Sequence, residues 1–344
     1  MGNTLSTIVI SVLVFGALIF IHELGHFLAA KWAGIRVNEF SLGMGPVIFQ
    51  RQKGETAYSL RAFPIGGFVS MEGEDNGSND ERAFCNKSVG KRFLVISAGA
   101  MMNLLLGFLL MILLVCMGNA VGTTQISQFG EGAVSSQWLQ VDDEIVSVNG
   151  HRVRTPNDIS YEFMNEDDGV LDMEVIRDGE KINLSGVTFD MQDIGDGLKA
   201  IRIDFKVYGV QKTIWNVPPY AFNWSVSIMK QVWSSLIKMV TGQFTLNQLS
   251  GPVGVASTIG EAASMGLDST ILIIAFITIN LGVFNLLPFP ALDGGRLFFL
   301  LIEMIRRKPI KPEYEGYVNT AGLLILLGLM AMVTFNDVIK LIFR

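Results

Sequence analysis

Histidine occurs only three times in the 344 residues of this chain, and cysteine only twice. Two thiols, Cys85 and Cys116, exclude a disulfide framework and a cysteine-built zinc ribbon. Cys116 sits in an apolar run, and both read as inert packing residues. Basic residues are also few: 26 Lys and Arg against 32 Asp and Glu leave a net charge of −6. Nucleic-acid binding normally needs a basic face, so that class falls away. Charge of either sign is thin, at 17% of residues, and from Met1 to Ile21 there is no charged side chain at all. Half of the chain is hydrophobic. This is the composition of an integral membrane protein that carries some soluble mass. The first segment lacks a positive n-region and a small-residue cleavage site, and is expected to be a retained span rather than a signal peptide.

Two of the three histidines stand together, in His22-Glu23-Leu24-Gly25-His26. On an α-helix, positions i and i+4 share one face a single turn apart. That is what a Zn²⁺ ion needs from two ligands on one rigid element. Glu23 follows the first histidine and can act as general base for a bound water. The same short pattern also arises by chance on soluble surface helices. Here it lies in a membrane-length apolar segment, where an ionisable cluster is expensive and marks function. The third histidine, His151, reads as a surface residue.

Four stretches are long enough to cross a bilayer of ~30 Å as helices, near 5–33, 93–121, 269–292 and 316–336. The 34–92 segment and the connection after the third span, with Arg296, Arg306, Arg307, Lys308 and Lys311, carry the basic excess. By the positive-inside rule both face the cytoplasm, and 122–268 lies outside. The histidines then fall in the cytoplasmic half of the first helix.

Within 36–72, Phe40–Pro46 reads as a glycine-rich turn, followed by strand-like runs at 47–49, 57–63 and 67–71. Two readings fit: a β-hairpin dipping back toward the membrane beside the metal helix, or an ordinary small cytoplasmic sheet. A free strand edge in the first case could receive an extended substrate by strand addition. In the second span, Gly99 and Gly107 read as close-packing positions, and Asn103 has either a structural or a functional role. Residues 123–205 regain charge and alternate short strands with turns, including Asn149-Gly150 and Asp178-Gly179, and 157–165 reads as a short helix. This is a soluble α+β domain with no catalytic constellation, suited to recognition or gating. The aromatic-rich 213–246 segment is expected as a helix lying at the membrane interface within a 206–268 linker.

The third span ends in Asn285-Leu286-Leu287-Pro288-Phe289-Pro290-Ala291-Leu292-Asp293-Gly294-Gly295. The prolines open the backbone where Asp293 appears. A carboxylate at that depth needs a partner, and a catalytic zinc takes three protein ligands plus water. Asp293 is therefore the expected third ligand; the alternative is that it merely caps the helix that follows.

Taken in order, these motifs, with Pro64-Ile65-Gly66-Gly67-Phe68-Val69 and Ser250-Gly251-Pro252-Val253-Gly254, resemble the site-2 protease family of intramembrane zinc metalloproteases. The resemblance spans nearly the whole chain and is nearest to the bacterial regulator-of-sigma-E protease type with a PDZ domain. It implies a polytopic α-helical membrane protein with four transmembrane helices, a membrane-reentrant β-hairpin and one inserted α+β PDZ domain. The catalytic membrane parts would be 1–122 and 269–344, with the PDZ domain at 123–205 acting as a size filter. It further implies His22, His26 and Asp293 as zinc ligands and Glu23 as the catalytic acid/base. Asn285 would contact the substrate backbone, with Gly66, Gly67 and Phe68 in the hairpin beside it. The implied activity is cleavage of single-span membrane proteins near the cytoplasmic side of a bacterial plasma membrane, on anti-sigma factors or remnant signal peptides. The competing reading is a PDZ-bearing scaffold with a structural metal, which would show four protein ligands. Two departures stand out. Ala98-Gly99-Ala100 replaces the common Ala-Gly-Pro, and Asp142 stands before Asp143 where the PDZ pattern has glycine.

Overall fold

A computed structural model describes residues 2–74, 77–195, 198–242, 250–308 and 310–342. In chain order the first half holds α1 (Gly2–Trp32), β1 (Val37–Lys53), β2 (Thr56–Met71), α2 (Val89–Met117), β3 (Val121–Phe129), β4 (Glu144–Val148), β5 (His151–Arg152) and α3 (Pro156–Met164). Then come β6 (Val170–Arg177), β7 (Glu180–Thr188), β8 (Met191–Gly195), β9 (Leu198–Ile201), β10 (Phe205–Val210), α4 (Val217–Val240), α5 (Pro252–Met265), α6 (Leu267–Leu286), α7 (Asp293–Arg306) and α8 (Pro312–Ile342). They form two units, Met1–Leu110 with Ser235–Arg344, and Met111–Ser234.

Among the described residues, four helices are long and apolar enough to cross a membrane: Leu5–Trp32, Val89–Met117, Leu267–Leu286 and Glu313–Lys340. These match the four expected spans with shifted ends: the second lies at 89–117 rather than 93–121, and the fourth at 313–340 rather than 316–336. The third ends at Leu286 rather than 292, because Leu287 precedes Pro288 and is driven to extended backbone (φ −67°, ψ 142°). α4 is not among them, and residues 243–246 of the expected interfacial helix lie outside the described residues.

In the first unit, the sequence reads Phe40–Pro46 as a turn, whereas the structure keeps it inside β1. Gly43 and Gly45 adopt φ of 82° and 85°, so they bend the strand without ending it. The first part of β1 is thereby sandwiched: Ser41 pairs with Phe68 on one side and Ser59 on the other, while Gln50 returns to Ser59. Four lanes result, ordered 67–71, 37–42, 57–61 and 47–53. Arg61 ties the bend by donating to Ser41 Oγ (3.0 Å), Gly45 O (2.8 Å) and Glu39 Oε1 (2.7 Å). The far end of this sheet bares Val47, Ile48, Phe49 and Phe63. Its root is the opposite: Val37, Phe40, Val69 and Met71 join Ala30, Val95, Ile96, Leu297 and Leu300 in one buried cluster. That cluster draws α1, α2 and α7 onto the sheet. Arg92 of α2 adds a two-pronged pair with Glu303 of α7, at 2.5 and 3.1 Å.

The second unit is an antiparallel sheet in the order β10-β3-β4-β6-β7, with β5 paired to β4 and a separate β8–β9 hairpin. Asn149-Gly150 and Asp178-Gly179 make its tight turns, with positive φ at all four residues. Thr155 and Asp158 cap α3 reciprocally, and Phe163 from that helix sits in the core with Phe189 and Phe205. Asp143 is fully buried and is held by Arg177 through two bonds of 2.7 Å and by Gln140 N at 2.8 Å. Beside it, Asp142 takes φ 74°. An L side chain in that region costs about 1 kcal/mol relative to glycine. His151 is exposed, as expected. Both cysteines are free and exposed rather than packed inside, which corrects the expectation for them.

Asp142→Gly is expected to stabilise the sheet of the second unit by about 1 kcal/mol, and Asp142→Val to weaken it by a similar amount. Hydrogen exchange of the β3, β4 and β6 amides in the intact protein measures both.

Candidate metal centre

The site is assembled from three helices of the first unit. α1 supplies His22 and His26, whose rings stand 4.8 Å apart, edge to face. α7 begins at Asp293. The turn that delivers it is forced: Ala291 takes φ 68°, and at Gly294 and Gly295 any side chain would strike Leu287 O or Phe289 O. Asp293 does not cap α7, whose N-cap is Leu292 without a side-chain bond. Its Oδ2 instead lies 3.1 Å from His22 Nε2 and 3.2 Å from His26 Nε2, and the two Nε2 atoms are 3.2 Å apart.

Three electron-rich atoms in a near-equilateral triangle are arranged so that one cation can sit among them. His26 Nδ1 is 2.9 Å from Val95 O, a bond that only its N–H can make, so its Nε2 presents a lone pair to the triangle. Asp293 Oδ2 is sealed from solvent and receives no hydrogen bond. The ligand atoms of a tetrahedral zinc stand roughly 3.3 Å apart, which this triangle fits. No fourth His, Cys, Asp or Glu joins the group among the described residues. Three protein ligands with one direction open is the pattern of a catalytic zinc rather than a structural one.

α2 contributes a face that the motif search does not reveal. Val95, Gly99 and Asn103 are four residues apart and therefore stacked on one side of the helix. Val95 O meets His26, the Asn103 amide stands 3.4 Å from His22 Nδ1, and a side chain on Gly99 would overlap both rings. Gly25 of α1 completes the approach, since a Cβ there would stand 2.4 Å from the Ala98 carbonyl oxygen. The sequence places Gly99 and Gly107 together as packing positions. Gly107 is one, against Ile279, but Gly99 belongs to the site. The available signal is its four-residue spacing to Asn103, at the depth of the histidines.

A cavity of about 480 Å³ opens beside the triangle, lined by Glu23, the Gly67–Met71 lane, Glu74 and Arg296, the last two joined as an ion pair. A Cβ at Gly67 would sit 2.9 Å from Glu23 Cγ, so glycine lets the carboxylate arm lie against the strand. Phe68 lines the cavity, whereas Gly66 stands just outside its lining, with φ 79°. Asn285, half-buried near the end of α6, is not part of the lining.

The profile of peptidase family M50 matches residues 10–329. The chain belongs to peptidase family M50. Along 96% of its length it is 37% identical to CPE1693 of Clostridium perfringens, a chain provisionally named a zinc metalloprotease, of which 98% is covered. It is 31% identical over 98% of its length to the regulator of sigma-W protease RasP of Bacillus subtilis, of which 99% is covered. The zinc metalloprotease RasP of Bacillus licheniformis is 30% identical, over 98% of this chain and all of the relative. Within M50 this chain is a zinc metalloprotease with membrane-spanning helices, and a non-enzymatic scaffold is set aside.

Gly99→Ala is expected to lower zinc affinity by at least about 100-fold, because the new methyl group occupies the space of both imidazole edges. Competition against a chromophoric chelator measures this, with circular dichroism showing the helices retained.

Proposed function

We propose that the protein cuts single-span membrane proteins within the bilayer, near its cytoplasmic side. His22, His26 and Asp293 hold the zinc, and Glu23 is the general base and acid. The observation that carries this reading is the convergence of two imidazoles and one carboxylate beside the unpaired edge of a sheet.

Bound zinc would supply Lewis acidity and a water of lowered pKa. Glu23 would accept a proton from the attacking water and return it to the departing amine. The substrate's helix must open first, since a helix hides its peptide bonds. The 67–71 lane is bonded on one side to 37–42 and has no second strand partner among the described residues. An unwound substrate strand adds there, its scissile bond passing Glu23. Gly66, Gly67 and Phe68 shape the start of that lane, and Asn285 bonds the substrate backbone. The apolar residues bared at the far end of the sheet suit a hairpin that dips into lipid.

The second unit is read as a PDZ domain on the outer face of a bacterial plasma membrane, a size filter that admits substrates trimmed by an earlier cut. The basic residues of 34–92 and 296–311 support that orientation. The name of the Bacillus subtilis relative ties it to sigma-W regulation. This supports anti-sigma factors as substrates here, with remnant signal peptides as the second class.

Glu23→Gln is expected to retain one zinc per chain while cleavage of a tagged single-span substrate falls by about 10²–10⁴-fold. Phenanthroline is expected to stop the wild-type reaction, and added zinc to restore it. Full turnover by the Gln variant, read as product mass, removes Glu23 from this role.

A further inference from the structure

We infer that Asn103 is a positioning residue for His22: its amide oxygen accepts the Nδ1 proton and so turns the Nε2 lone pair to the metal. The inference rests on the zinc site proposed above and adds a residue that the ligand motif does not contain.

The two histidines are not held alike. His26 has a backbone carbonyl at 2.9 Å on its Nδ1, which fixes its protonation pattern whatever surrounds it. Among the described residues His22 has no backbone partner there. The group facing its Nδ1 is the Asn103 side chain, with Nδ2 at 3.4 Å, and Asn103 is 1% exposed, which keeps bulk water from this contact. With Nδ2 toward the ring, the amide donates to Nδ1. That forces the ring proton onto Nε2, toward His26 Nε2 and Asp293 Oδ2, where no proton can coexist with a metal. The same orientation leaves Asn103 Oδ1 buried with no partner.

A half-turn of the amide exchanges its nitrogen and oxygen at almost no steric cost. Either orientation leaves one amide atom unpaired, so the imidazole decides between them. Oxygen toward Nδ1–H gives His22 the same donor arrangement as His26 and raises the basicity of its Nε2. Asn103 is itself well anchored. Its backbone oxygen accepts from Thr278 Oγ1 at 3.2 Å, which ties this turn of α2 to α6.

The test uses full-length protein in detergent, loaded with zinc. Asn103→Leu keeps the heavy-atom branching but is bulkier and cannot accept a hydrogen bond; Asn103→Asp can. Expected is a 10–100-fold loss of zinc affinity for Leu, with Asp within about 3-fold of wild type. Since the chain has only three histidines, ¹⁵N-histidine spectra of the zinc-loaded wild type resolve His22 and are expected to show a protonated Nδ1. Leu binding zinc as tightly as wild type overturns the inference, as does a His22 spectrum with Nδ1 unprotonated or zinc-bound. Should the Leu variant fail to fold, the wild-type spectrum decides. A His22→Ala control separates the two claims. If it binds zinc normally, the metal site itself is misassigned; if it loses zinc while Leu keeps it, only the role of Asn103 falls.

Discussion

The structure depends on bringing two imidazole nitrogens and a carboxylate oxygen within 3.2 Å of one another inside an apolar helix cluster. Left to themselves these lone pairs repel, and burial removes the water that would screen them. A divalent cation reverses the sign of that interaction. Every nearby irregularity of the chain serves the meeting. The proline-opened end of α6, the left-handed Ala291 and the two glycines at the start of α7 place a carboxylate where a continuous helix could not.

What holds the meeting in place is close contact rather than charge. Gly25 and Gly99 let α1 and α2 approach until side chains of one touch the backbone of the other, which is how small residues work between membrane helices. The register that results is antiparallel, with Val95 serving His26 and Asn103 serving His22. The Arg92–Glu303 pair and the shared apolar cluster then fix α7 against the other two. In α2, Ala100 is fully buried inside an unbroken helix.

The second unit shows a different economy. Its Asp143–Arg177 lock is buried and complete, yet the preceding residue keeps a strained φ where glycine would relax it. An aspartate tolerates the left-handed region better than most residues, because its short polar side chain can bond locally. The fold therefore survives the substitution.

Which side chains meet at the site could be read from the chain alone. His22 and His26 are one helical turn apart by their spacing, and Asp293 is conspicuous as a carboxylate among prolines at the end of an apolar run. Hydropathy located all four spans for the same reason, since length and polarity are local properties. Only the tertiary structure decided what surrounds them. Glycines at 43 and 45 look like a turn until strand pairing on both sides shows them to be bends, and Gly99 looks like any packing glycine until two rings lie over it. The carbonyl of Val95 carries no signal in the sequence, and the amide of Asn103 stands out only as a polar group in an apolar span. Their roles come from helix-to-helix register, which is set by contacts between residues 69 and 81 positions apart, and no local pattern encodes a distance of that kind.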